Sequence, residues 1–266
     1  MELEIYQVDS FTTEAFKGNP AGVCITQSML DESLMVSIAK EMAVSETAFL
    51  SLSDMKLRWF TPKVEVKLCG HGTLAAAHIL KEKGIAVIGE ELVFDTFSGP
   101  LLITLREHTI EMEFPAAPLI IGGVCNESLL KGLGIESEQV VAYGSFASKN
   151  FIEINSEEAL LNLTPNFNAL KKLSGRGVVI TAKSISSEFD FVSRYFAPWI
   201  GINEDPVTGS AHCALAVYWE AKLQKNKLKG YQASARGGCV NVELLPNNRV
   251  KLIGSAVTTL KGNLYV

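Results

Sequence analysis

Two stretches of the same unusual kind limit what this chain can fold into. Cys69-Gly70-His71-Gly72-Thr73-Leu74-Ala75-Ala76-Ala77-His78 and Thr208-Gly209-Ser210-Ala211-His212-Cys213-Ala214-Leu215-Ala216 both open on a glycine turn and continue in small apolar residues. From Thr73 to Lys83 the pattern predicts a helix that is apolar nearly all round. Such a helix has no face to offer water and belongs inside the protein. Gly84 supplies its C-terminal stop. The second helix is predicted from Ser210 through Tyr218-Trp219. Gly70 and Gly209 stand about half a chain length apart, which predicts two similar halves facing each other.

The rest of the pattern predicts sheets for those helices to sit in. Leu3–Asp9 alternates like a strand buried on one face, and Gly18-Asn19-Pro20 marks a turn before the apolar strand Ala21–Ile25. Leu30–Met42 reads as an amphipathic helix with Asp31 and Glu32 in its first turn. Thr47–Leu50 and Leu57–Phe60 read as paired strands, followed by strands over 91–96, 101–106 and 109–114. Pro115 and Pro118 mark the domain boundary. Beyond it, strands are predicted at 140–143, 151–154, 177–182 and 189–196, with a helix near 169–173. Closing strands fall at 231–235, 239–244, 249–253 and 258–265. The expected architecture is α+β: two similar lobes, each a curled mixed sheet around a central helix. The first lobe spans residues 1–116, completed by the C-terminal strand 255–266, and the second spans 117–254.

The net charge of -5 disfavours nucleic acid or an anionic membrane as partner, because phosphate neutralisation requires an excess of Lys and Arg. A small anion held by a few local donors remains compatible. The apolar stretches are too short to span a bilayer, and Met1–Ile5 lacks the features of a signal peptide. Five cysteines without a CxxC pair read as reduced thiols of a cytoplasmic protein.

Both glycine turns open helices, whose N-termini expose unpaired N–H groups and about half a positive charge. Each turn alone could serve only close packing; as a matched pair they point to a carboxylate site built without arginine. Glu46, in Ala43-Val44-Ser45-Glu46-Thr47-Ala48-Phe49, has apolar flanks. If buried, its carboxyl is expected to have a raised pKa, as a proton shuttle near neutral pH requires; an exposed strand-edge glutamate is the competing reading. Asp205 reads either as a turn-former or as a partner orienting a substrate group or His71. His71 reads as a donor to substrate or as a helix cap. Arg236-Gly237-Gly238 reads as a surface turn or an anion contact. Cys69, His71, His212 and Cys213 do not follow the paired spacing of zinc ligands, so no metal is assigned. No Walker loop, strand-linked GxGxxG or GxSxG elbow is present.

Taken in order, several segments resemble the PhzF-like (phenazine biosynthesis) family. They are Val8-Asp9-Ser10-Phe11-Thr12, Gly18-Asn19-Pro20-Ala21-Gly22-Val23, Ser45-Glu46-Thr47-Ala48-Phe49, Trp59-Phe60-Thr61-Pro62-Lys63-Val64-Glu65-Val66 and Cys69-Gly70-His71-Gly72-Thr73. Glu204-Asp205-Pro206-Val207-Thr208-Gly209-Ser210-Ala211-His212 and Ser234-Ala235-Arg236-Gly237-Gly238 complete the set. The resemblance implies a diaminopimelate-epimerase-like fold with the active site in the cleft between lobes, a homodimer, and an isomerase without cofactor. It implies Glu46 as the acid/base that moves a proton between carbons of a small carboxylate, with Asp205 and His71 beside it. Ser45, Gly70, Gly72, Gly209 and Ser210 are the implied substrate-binding positions. Two rivals share the fold. One is a two-thiol epimerase, for which Cys69 matches the first thiol but Pro206-Val207 occupies the place of the second. The other is a non-catalytic protein that binds small anions.

Overall fold

The computed structural model describes residues 1–266. In chain order it begins with strands β1 (Glu2–Ser10) and β2 (Asn19–Thr26), helix α1 (Glu32–Met42) and strands β3 (Glu46–Ser51), β4 (Leu57–Phe60) and β5 (Glu65–Val66). Helix α2 (Gly70–Glu82) and strands β6 (Glu91–Phe94), β7 (Leu101–Leu105) and β8 (Ile110–Pro115) follow. Next come β9 (Ile120–Ile121), α3 (Glu127–Leu133), β10 (Val140–Phe146), β11 (Lys149–Ile154), α4 (Glu157–Leu161) and α5 (Phe167–Leu170). Strands β12 (Val178–Lys183), β13 (Phe191–Ala197) and β14 (Ile202–Glu204) precede α6 (Gly209–Leu223), β15 (Lys227–Gln232) and β16 (Gly238–Leu245). The chain closes with β17 (Arg249–Gly254) and β18 (Ala256–Tyr265). It divides into two compact units, Met1–Phe114 with Lys251–Val266, and Pro115–Val250.

The first unit is built on a six-stranded sheet in the order β18-β1-β2-β3-β4-β5. Strands β2 and β3 run parallel, with Ala21 opposite Glu46. Helix α2 packs against β1, β2, β3, β7 and β18, and from His71 to Leu80 only His78 escapes full burial. That is the consequence of its all-round apolar surface. Leu3, Ile5, Cys24 and Phe49 form a second cluster with Met35, Ile38 and Ala39 of α1. Strand β3 is therefore buried from Thr47 to Ser51, and Glu46 is the position where the chain enters that interior. Helix α1 starts two residues later than the periodicity predicts, because Asp31 keeps an extended backbone as N-cap. Ala43 ends the helix in the left-handed region at φ 53° and turns the chain toward Glu46.

In the second unit the strands run β9-β10-β11-β12-β13-β15-β16, with β14 paired on β13. Helix α6 packs on β15 and β16 and is buried along Ala211–Ala216 and at Trp219. Trp219 stacks on Phe191 at 5.9 Å and donates Nε1–H to Thr181 Oγ1 at 3.0 Å. Leu129, Leu130, Leu133, Leu160 and Leu170 from the three short helices α3, α4 and α5 form one core with Ile152, Ile154, Val178 and Ile180. Two predictions shift here. The helix placed near 169–173 lies at Phe167–Leu170, with Asn166 accepting from the Ala169 N–H as its cap. The strand placed at 231–235 lies at Lys227–Gln232. Its buried face carries Leu228, Gly230 and Gln232, so glycine and glutamine hide the alternation.

Candidate active site

The first unit gathers Ser45, Glu46, Cys69 and His71 into one cluster. Glu46 and His71 retain only 17% and 8% of side-chain exposure, and Glu46 Oε2 lies 3.2 Å from His71 Nε2. Ser45 Oγ is 3.3 Å from the same nitrogen, and Cys69 Sγ is 3.5 Å from Nδ1. The ring is thus held from both sides, while Ser10 Oγ donates to the His71 carbonyl at 2.8 Å. Cys69 is the N-cap of α2, and its sulfur accepts the Gly72 N–H at 3.4 Å. Gly72 admits no side chain. A Cβ there would stand 2.9 Å from Trp59 Cδ1 and 3.1 Å from Cys69 Sγ. Gly70 and Gly72 therefore bracket His71 on the first turn of a buried helix.

The charge state corrects the sequence expectation. Burial pushes the Glu46 carboxyl up, as its apolar flanks suggest, but the hydrogen bond and charge of His71, with Ser45, outweigh it. The net result lies below the ordinary carboxylate value. Burial likewise opposes a charged His71, yet its contacts with Cys69 and Glu46 hold the imidazolium well above its usual range. Burial raises the Cys69 thiol, which stays protonated near neutral pH. His71 and Cys69 thus hold the Glu46 carboxyl and the imidazole toward their charged forms, while burial holds the thiol toward its neutral form. Glu46 is accordingly held toward its ionised form rather than its protonated one.

In the second unit Asp205, Gly209 and Ser210 lie at the start of α6. Asp205 Oδ2 accepts the Thr208 hydroxyl at 2.5 Å. Thr208 is the N-cap residue but spends its hydroxyl on Asp205, so no side chain caps α6. Gln232, fully buried, clamps the turn: its Oε1 accepts the Thr208 N–H at 2.9 Å and its Nε2 donates to the Asp205 carbonyl at 2.6 Å. Ser234 Oγ adds a bond to the Pro206 carbonyl at 2.9 Å and accepts the Gly237 N–H at 3.0 Å. Arg236 sits in that same bend between β15 and β16. Lys149 Nζ donates to Ser210 Oγ at 2.8 Å. Gln232 and Lys149 escaped the sequence reading because nothing local distinguishes a glutamine at a strand end or a lysine after a turn. His212 is structural: fully buried, with Nδ1 2.9 Å from the Thr208 carbonyl and a pKa lowered by burial to about 4.

Donor atoms of Glu46, Cys69 and His71 all lie within 4.8 Å of one another, the closest approach here to a ligand set. A metal would have to displace the imidazolium proton and the thiol proton together.

Two compact units, each with a buried helix on a mixed sheet, define an α+β fold of the diaminopimelate- and proline-epimerase-like class. A solved hydroxyproline epimerase of Agrobacterium vitis shares the fold at a TM-score of 0.63 and 10% identity, covering 99% of this chain and 92% of its own. Residues 8–262 match the family described as phenazine biosynthesis-like protein. A protein of Halalkalibacterium halodurans named an uncharacterized isomerase is 47% identical over 268 residues, with 100% of both chains covered. The crystal structure of a PhzF-family protein of Enterococcus faecalis is 40% identical, with a TM-score of 0.92 over 100% of both chains. The chain belongs to the phenazine biosynthesis-like (PhzC-PhzF) family and is an isomerase of that family.

Proposed function

We propose that the protein is a cofactor-independent isomerase that moves a proton between two carbons of a small carboxylate, with Glu46 as acid/base. The observation that carries this reading is the Glu46–His71 pair, 3.2 Å apart and largely withdrawn from water. The ionised Glu46 takes a proton from a carbon adjacent to a double bond. The C–H electron pair enters the π system, and Glu46 returns the proton to the far carbon. One C–H bond breaks, another forms, the double bond shifts, and no electrons leave the substrate. His71 supports both directions. Its N–H can turn from Glu46 toward a substrate oxygen, which strips Glu46 of its counter-charge and makes it a stronger base.

In this reading the Gly70 N–H with the Ser45 hydroxyl, and the Gly209 and Ser210 N–H groups with the Ser210 hydroxyl, are each a donor set for a substrate carboxylate, while the Gly72 N–H is taken by Cys69 Sγ. Asp205 accepts from a substrate amine or hydroxyl. Ring-containing amino acids or hydroxy acids suit that combination of donors and one carboxylate. A cytoplasmic homodimer belongs to the same reading and is checked by sedimentation.

The test is carbon-bound deuterium uptake from deuterated water across a panel of cyclic unsaturated carboxylates. Glu46→Gln should keep the fold and slow exchange by about 10²–10⁴-fold, the range of a general acid/base. Near-normal exchange in that variant defeats the assignment. The contact of Cys69 Sγ with His71 Nδ1 favours a thiol epimerase as second reading. Inversion needs a second thiol, however, and Cys213 is fully buried in α6 with its pKa pushed by burial to about 12. A binding-only protein would be stabilised by a carboxylate yet label no carbon with any substrate.

A further inference from the structure

Lys149 is a cation that the roles assigned so far leave unused. It opens β11 directly after Ala147 and Ser148, whose φ values of 44° and 64° close the hairpin with β10. Its Nζ lies 5.4 Å from the Phe146 ring centroid and 5.6 Å from that of Tyr195, and it donates to Ser210 Oγ at 2.8 Å. Surface lysines commonly extend their ammonium into water. Here two aromatic rings and one hydroxyl fix it in place.

The charge so fixed is under-compensated. Burial and then the Arg176 guanidinium act against the ammonium, Cys213 and Asp205 favour it, and its pKa falls below the ordinary lysine value. No carboxylate lies within ion-pair distance of Nζ. Because Ser210 accepts from Lys149 through its oxygen, its own hydroxyl proton is free to be donated elsewhere. The first turn of α6 beside it carries no side-chain cap. An ammonium, a hydroxyl and uncapped backbone N–H groups thus meet at one spot, and a bound anion supplies the missing counter-charge.

We infer that Lys149 is a specificity-determining residue: together with Ser210 and the start of α6 it takes a full negative charge on the substrate, selecting carboxylates over neutral amides. This rests on the proposed carboxylate isomerase for the nature of the substrate, but it can fail separately.

Benzoate, with neutral benzamide of the same shape as control, is the probe. Titration of the 15N-labelled protein should move the Ser210 and Ala211 amide signals saturably with benzoate and hardly at all with benzamide. Lys149→Met should raise the benzoate Kd about tenfold, the order expected on removing a charged hydrogen bond. Lys149→Arg should stay within about threefold of the wild type, because it keeps the charge. The amide spectrum reports folding in each variant, and Lys149→Gln replaces the Met variant if that one is unfolded. The inference is overturned by an unchanged Kd in the neutral variant, by an equal response to benzamide, or by no saturable response in the wild type. Deuterium exchange with Glu46→Gln reads the proton chemistry independently. Loss of exchange there with an unchanged benzoate Kd in Lys149→Met sinks Lys149 alone, whereas retained exchange with the weakened Kd sinks Glu46 alone.

Discussion

Replacing Gln232 by methionine tests whether the turn carrying Asp205 is held from a strand rather than by itself. Methionine keeps the length and most of the volume of glutamine, so the change removes hydrogen bonds and little packing. The bonds lost are the 2.9 Å acceptor contact with the Thr208 N–H, the 2.6 Å donor contact with the Asp205 carbonyl and a longer 3.3 Å donor contact with Thr208 Oγ1, which keeps its own bond to Asp205. Each group left unpaired in the interior costs about 1–3 kcal/mol. The Thr208 N–H is fully enclosed and should approach the upper figure, while the Asp205 carbonyl is part-buried and nearer the lower. The sum is about 2–4 kcal/mol. For a chain of this size, that lowers Tm by roughly 5–15 °C. The proposed role of Asp205 as a substrate contact adds a second readout: a reacting or positioning group displaced by about 1 Å can lose about 10²-fold in rate. Thermal unfolding followed by circular dichroism gives the first number, and kcat/KM on any substrate found by deuterium exchange gives the second. A Tm shift under about 2 °C together with unaltered kcat/KM would refute the clamp.

The Glu46–His71 pair sets a pH window for stability. Glu46, lowered from its ordinary 4.5, contributes stability that is present above that value and lost as pH falls through its depressed pKa. His71, raised above 6.5, contributes stability that is full below that value and lost as pH rises through its elevated pKa. The difference in urea midpoint between the wild type and His71→Asn should therefore be largest near neutrality and shrink toward both extremes; a difference independent of pH contradicts the ion pair. Cys69→Ser should keep most activity, because the thiol is neutral and serine is itself a good N-cap. Abolished turnover in a folded Cys69→Ser protein would bring sulfur into the chemistry.

Particular elements show where local pattern was sufficient. Helices α2 and α6 are legible because an apolar surface on every side has only one physical outcome, burial. The short helices α3 and α4, of seven and five residues, contain too little of the 3.6-residue period to be recognised, and α5, of four, was placed two residues late. Strand β15 was misplaced because Gly230 occupies a buried position where a Cβ would lie 2.5 Å from Phe191 Cζ. Only a small residue fits there, so the usual signal of a β-branched side chain is missing.

The site divides in the same way. Glu46, His71, Asp205 and the glycine turns at Gly70 and Gly209 could be singled out as candidates from residue type and position, since capping turns and flanking apolar residues are local features, whereas Ser45, Gly72 and Ser210 entered through the family resemblance. The sign of the Glu46 pKa shift could not. Its apolar neighbours in the chain argue for a raised value, and a histidine 25 positions away reverses it. Lys149 and Gln232 have their partners 61 and 24 residues distant. Sequence by itself determined that the two glycine turns each open a buried helix, because that follows from side-chain hydrophobicity and backbone caps within a few residues. Tertiary structure alone decided which groups are charged and what they hold, because Coulomb forces and hydrogen bonds depend on separation in space and not along the chain.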